Sequence, residues 1–203
     1  MKKINSTKPY INDRANPTDI WDSLPLFISK HEMSKLRDKK GNLTIRKFNQ
    51  AYCGANISVE IHRALIEEIN SEGNLIDCSY FPSKTEEIIL NVLRRLQNSP
   101  PEHNMYYVNF TLVQIQTELA CSGHTLSIEE ICKGLEILAR CMVIIKGDGI
   151  NTVQELGNVF LSNLTIAKLN DPSMEQNLTC CATLHPLSLN GKQNLEFRSI
   201  LFE

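Results

Sequence analysis

The stretch from Thr111 to Leu169 constrains the fold more tightly than any other part of the chain. Leu112, Ile115 and Leu119 recur at helical spacing and predict a short helix from Thr111 to Ala120. Cys121-Ser122-Gly123-His124 then makes a turn, in which Gly123 can take the left-handed conformation. Thr125 or Ser127 caps a second helix running to about Cys141, with Ile128, Ile131, Cys132, Leu135, Leu138 and Ala139 facing inward. Directly after it, Val143-Ile144-Ile145-Lys146 reads as a strand and Gly147-Asp148-Gly149 as a turn. Val159-Phe160-Leu161 and Leu164 to Leu169 read as returning strands.

A helix, a short turn, a second helix and a hairpin follow one another in the order of a winged helix. In that motif the second helix enters the major groove and the hairpin lies along the backbone or minor groove. Upstream, Ile57, Ile61, Leu65 and Ile69 recur every four residues behind an Asn56 or Ser58 cap, which predicts an amphipathic helix over 57–69. Leu75 to Tyr80 reads as a short strand, and Ser83-Lys84-Thr85-Glu86 as a capping box. Ile88, Ile89, Val92, Leu93 and Leu96 give the next helix its buried stripe, and Asn98-Ser99-Pro100-Pro101 ends it. Met105 to Phe110 reads as a strand. The predicted fold class is therefore α+β, a mainly helical winged-helix domain with an N-terminal basic arm. Residues 1–18 read as a flexible polar tail and 19–203 as the domain. Within it the arm spans 28–50, the helix-turn-helix about 111–141 and the wing about 142–169. Trp21 and its neighbours Leu24, Leu26 and Phe27 form an apolar knot where order begins.

Charge is distributed unevenly along these elements. The chain carries a formal net charge of −2, yet residues 1–47 hold 11 basic and 5 acidic side chains, whereas residues 101–203 hold 6 and 11. The longest apolar runs, such as Cys141-Met142-Val143-Ile144-Ile145, fall far short of the roughly 20 residues of a membrane span. The start, Met1-Lys2-Lys3-Ile4-Asn5, has no apolar region behind it, so secretion is not expected and a cytoplasmic location is. Seven cysteines without a signal argue for free thiols in a reducing compartment. Cys121-x-x-His124 with Cys132 and Cys141 holds zinc-ligand residue types, but the paired spacing of a closed zinc site is missing, so no metal or other cofactor is expected. The six Asn-x-Ser/Thr sequons follow from an Asn-rich composition.

No Gly-rich phosphate loop, Gly-x-Ser-x-Gly elbow or His-Glu-x-x-His motif occurs. The five histidines, His31, His62, His103, His124 and His185, are scattered without a local carboxylate or cysteine partner. The reading is a binding protein and not an enzyme.

Four passages resemble the plasmid replication initiators, the Rep proteins. One is Trp21-Asp22-Ser23-Leu24-Pro25-Leu26-Phe27. A second is Tyr80-Phe81-Pro82-Ser83-Lys84-Thr85-Glu86-Glu87-Ile88-Ile89-Leu90-Asn91-Val92-Leu93-Arg94-Arg95-Leu96. A third is the block from Phe110 to Gly147, and the last is Leu184-His185-Pro186-Leu187 followed by Leu195 to Phe202. The resemblance implies tandem winged-helix domains, of which this chain would be the first, used for dimerisation and auxiliary backbone contact. It implies double-stranded DNA at plasmid origin repeats as ligand, a homodimer as the working form, and host replication proteins as further partners. A second domain would begin near Phe202-Glu203 in a longer initiator; a short natural protein lacking it is the alternative.

The residues qualify that picture. The outward side of the second helix carries Glu129, Glu130 and Glu136 against Lys133 and Arg140, and Asp148 lies on the expected wing. Carboxylates repel phosphates, and binding grows with the number of phosphates neutralised by Lys and Arg. Lys133, Arg140 and Lys146 are the local candidates for backbone contact. The arm residues Lys30, Lys35, Arg37, Lys39, Lys40, Arg46 and Lys47 are the stronger source of binding energy. The alternative function is a protein-interaction module or small regulator without strong DNA binding, in which Val143–Ile145 or Leu164–Ala167 extends a sheet across a two-fold axis.

Overall fold

The computed structural model describes residue 21 and residues 23–39, 41, 43–52, 55–97, 107–148, 153–166 and 178–188. The tail over 1–18, Lys40, the turn at Gly149 and the C-terminal passage from Leu195 to Phe202 lie outside the described residues.

Among the described residues, four α-helices begin with the same device. They are α1 (Lys30–Lys35), α2 (Lys84–Leu96), α3 (Leu112–Cys121) and α4 (Ile128–Arg140). Ser29 with Glu32, Ser83 with Glu86, Thr111 with Gln114 and Ser127 with Glu130 each form a capping box, in which the two residues satisfy each other's otherwise orphaned amides. At α2 the Glu86 carboxylate accepts from the Ser83 amide at 2.6 Å and from its hydroxyl at 2.7 Å. Gly123, with φ at 78°, supplies the left-handed residue between α3 and α4.

Among the described residues, nine strands form three antiparallel sheets. β1 (Arg46–Tyr52), β2 (Ala55–Ile61), β6 (Met142–Asp148) and β7 (Val153–Val159) make a four-stranded sheet in the order β1-β2-β6-β7. β3 (Ala64–Ile69) and β4 (Leu75–Tyr80) pair as a hairpin. β5 (Tyr107–Phe110), β9 (Cys180–Leu184) and β8 (Leu161–Thr165) form the third sheet in that order.

The sequence reading of a mainly helical winged helix is overturned by this count. Strands hold 39% of the described residues and helices 35%, so the chain is mainly β-sheet. The helix expected over 57–69 is the end of β2 followed by β3. A repeat of four is also a multiple of the two-residue strand period, and Ile57, Val59 and Ile61 share one buried face while Leu65 and Ile69 are exposed. The basic arm of 28–50 is a one-and-a-half-turn helix, a loop and the edge strand β1. Helices at about 112–121 and 128–140 occur where expected, and a hairpin follows them, but its returning strand is Val153–Val159 and not Val159–Leu161, and Gly147 and Asp148 belong to β6 and not to its turn. However, β6 is an interior strand, paired with β7 on one side and β2 on the other, so the hairpin is no free wing. For the same reason Val143–Ile145 has no open edge with which to extend a sheet across a two-fold axis.

Helix α4 is the hub of the core. It packs on α2 and α3 and on β3, β7 and β8, one strand from each sheet. Ile131, Leu135, Ile137 and Leu138 are buried on it. Gly134 lets α2 approach, because a Cβ there would stand 2.5 Å from Ile89 Cδ1. The apolar knot at Trp21 is present: its ring meets Phe160 edge-on at 5.6 Å and tilts over His185 at 4.8 Å.

Candidate nucleic-acid interface

A strand's side chains alternate between faces, so the register of the four-stranded sheet decides which polar residues meet. Lys47 on β1 stands opposite Glu60 on β2, and the neighbouring Ser58 stands opposite Lys146 on β6. Ile57, Val59, Ile61, Val143 and Ile145 fill the core, so Lys47, Glu60 and Lys146 are left on the outer face. The Lys47 ammonium donates to Glu60 Oε1 at 3.0 Å, and the Lys146 ammonium lies 3.9 Å from the same oxygen. His62 Nε2 is 3.9 Å from the other oxygen, Oε2. The Lys47 hydrogen bond holds the Glu60 carboxyl below the ordinary carboxylate range, with Lys146 and His62 adding to the effect. One carboxylate thus gathers two lysines and an imidazole on an open sheet face, where Gly157 of β7 adds no side chain.

The structure therefore brings Lys47 and Lys146 together, although they lie in different halves of the sequence. His62, read from sequence only as one of five scattered histidines, joins them. No local pattern signals this, since the cluster depends on the pairing of β1, β2 and β6.

A second group of exposed cations lies between α1 and β1. Lys35 ends α1, and Arg37 and Leu43 close the following loop through an isolated bridge. Arg37 Nη1 donates to the Gly41 carbonyl at 2.6 Å, and Gly41 takes a φ of 83° to make the turn. Buried Leu43 anchors that loop and leaves Lys39 exposed. Lys30 belongs to α1, and its side chain, like Lys40, lies outside the described residues.

The other candidates serve the fold. Arg46 turns inward, donates to the Pro25 carbonyl, lies 3.5 Å from Glu32 and sits over the Phe48 ring at 5.0 Å. Burial pulls its pKa down, with Glu32 opposing. On α4, the Lys133 ammonium is 2.6 Å from Glu68 Oε1 and 3.0 Å from the Tyr80 hydroxyl, and it stands 4.4 Å over the Tyr80 ring. Arg140 pairs with Glu136 at 2.7 Å and donates to the Leu65 carbonyl at 2.9 Å. The acidity of α4 has local uses too: Glu130 caps the helix and Glu136 holds Arg140. Both cations of α4 tie the β3–β4 hairpin to the helix.

Cys121 is exposed, Cys132 half-buried and Cys141 buried, with its thiol pushed up to about 12 by desolvation. Among the described residues no three His, Cys, Asp or Glu side chains come together to hold a metal, and no helix is long and apolar enough to cross a membrane.

No protein-family model matches the chain. No curated protein matches it either. Among solved structures, a selenomethionine crystal structure of domains 2 and 3 of RctB aligns with a TM-score of 0.50 at 12% identity, over 84% of this chain and 60% of that one. A second structure of RctB domains 2–3 aligns with a TM-score of 0.47 at 11% identity, over 82% and 56%. The chain thus spans less than two thirds of those proteins, and the likeness is one of fold.

Proposed function

We propose that this chain is a DNA-binding module of a replication initiator, holding duplex DNA chiefly through phosphate contacts. The observation that carries the reading is the outer-face cluster in which Glu60 gathers Lys47 and Lys146. The Lys47 ammonium lies exposed on that face, where a phosphate backbone can reach it, and Lys146 stands beside it with Glu155 of β7 opposite. Lys35, Arg37 and Lys39 add a second cationic surface. The fold likeness to domains of RctB, a replication initiator, supports replication as the setting, an argument by analogy of fold. Within this proposal the ligand is a set of plasmid origin repeats, the working form a homodimer in the cytoplasm, and host replication proteins further partners. The role is binding and not catalysis.

Affinity on this account comes from the sheet face and the α1–β1 loop, with little from α4. Fluorescence anisotropy with a duplex carrying origin repeats, at low and moderate salt, tests it. Binding that weakens steeply with salt supports the proposal; no binding, or a signal indifferent to salt, contradicts it.

A further inference from the structure

The β3–β4 hairpin exposes an apolar surface that no other element of the described chain covers. Of the five large hydrophobic side chains exposed among the described residues, Leu65, Ile69 and Leu75 lie on it, and Ile76 lies on the hairpin's other side. Ile69 and Leu75 are 72% and 70% exposed, and they face each other across the hairpin. Among the described residues neither strand has a second strand partner, and a two-stranded ribbon alone is marginal in water. This one is nevertheless held in place. Lys133 and Arg140 tether it to α4, and its turn is built by Asn70, whose Oδ1 accepts from the amides of Glu72 at 3.0 Å and Asn74 at 2.9 Å.

The register identifies the chemistry of the outer face. Ala64, Ile66 and Glu68 pair with Tyr80, Cys78 and Ile76 on the side that meets α4. The opposite side carries Leu65, Glu67 and Ile69 against Ser79, Asp77 and Leu75. Glu67 and Asp77 stand directly across from each other, both exposed, in the middle of the apolar side chains. Like charges directly opposed on a ladder are unfavourable. Two carboxylates ringed by Leu65, Ile69 and Leu75 ask for a cation flanked by apolar groups. DNA is repelled by such a surface. A second copy of the same face, laid on the first, would bring four carboxylates together.

We infer that the outer face of the β3–β4 hairpin docks a partner protein through a segment that sets a lysine or arginine between apolar side chains. The basic group enters between Glu67 and Asp77, and its apolar neighbours cover Leu65, Ile69 and Leu75. The surface belongs to a different sheet from the lysine cluster at Glu60.

The test uses the whole chain and a synthetic peptide of about ten residues alternating valine and lysine, with a valine–glutamate peptide as counterpart. Binding is followed by titration and by amide hydrogen exchange. The valine–lysine peptide is expected to protect residues 64–69 and 75–80, and the glutamate peptide to leave them unchanged. The double variant E67Q/D77N is expected to weaken the valine–lysine peptide about tenfold, and I69S/L75S to do the same. E129Q/E130Q, which removes as much charge elsewhere, is expected to leave the affinity unaltered. E67Q/D77N should at the same time raise the stability of the free protein, because it relieves the like-charge pair. A loss of binding with a gain of stability cannot come from misfolding. The inference is overturned by the absence of binding, by protection elsewhere, or by an equal loss in E129Q/E130Q. Hairpin protection that rises with protein concentration alone overturns it too, since a second copy would then be the occupant.

Discussion

The Lys133 ammonium lies 2.6 Å from the Glu68 carboxylate, so the most central cation of α4 is held by the hairpin that packs against it. Tyr80 completes the contact through its hydroxyl and its ring, and the same neighbours raise the Lys133 pKa. Both charged side chains are partly exposed, which screens the pair. Lys133→Met is expected to cost about 1 kcal/mol in urea unfolding, from the ion pair and the ring contact together. Duplex affinity should stay within about twofold, since this lysine is not among the phosphate contacts proposed. A larger affinity loss with unchanged stability would place Lys133 on DNA.

Gly134 marks the closest approach of α4 to α2. Gly134→Ala puts a methyl group 2.5 Å from Ile89 Cδ1 and is expected to destabilise by about 1–3 kcal/mol, despite the better helix propensity of alanine. Ile89→Val removes that Cδ1. The double variant should therefore be more stable than the sum of the two single changes, as measured by a double-mutant cycle in urea.

His185 gives the chain an acid-sensitive core. Complete burial beside Trp21 lowers its pKa to about 3. The unfolded chain takes up a proton near pH 6.5 and the folded chain does not, so stability is full above that value and declines as pH falls toward 3. The slope from this residue approaches about 1.4 kcal/mol per pH unit. Glu68, held low by Lys133 and Tyr80, acts in the same direction at lower pH, its contribution present above the ordinary carboxylate range and lost as pH falls through its folded value. Unfolding midpoints between pH 5 and 7.5 should fall with acid in the parent chain and flatten in His185→Leu. A persistent slope in the variant would assign it elsewhere.

Local signals in the sequence announced α2, α3 and α4 and the strands β4, β5 and β6, but not α1, the strands β1 to β3 or the pairing of the sheets. Ser83 with Glu86 and the stripe of Ile89, Val92 and Leu93 announce α2, because capping and a 3.6-residue period are properties of contiguous residues. Ile57, Ile61, Leu65 and Ile69 mislead because their spacing satisfies both periods, and only the burial of Val59 between two of them decides for a strand. β1 carries Arg46, Lys47, Asn49 and Gln50, since an edge strand with one open face needs little apolar content, and it reads as a solvated basic arm. The meeting of Lys47, His62 and Lys146 at Glu60 depends on pairing between distant strands, which no local pattern encodes. The contacts of Lys133 and Arg140 with the hairpin are likewise set by distant residues and not by the local pattern of α4.

The measurement closest to the central claim is the salt dependence of duplex binding for the parent chain and for the variant K47Q/K146Q. Each phosphate contact contributes about 0.9 to the slope of log affinity against log salt on B-form DNA. The variant is expected to lose affinity at low salt and to show a slope shallower by about 2, with K133M as an unaffected control. Equal slopes in parent and variant, or a parent chain that binds no duplex at low salt, would contradict the assignment of the Glu60 cluster to DNA.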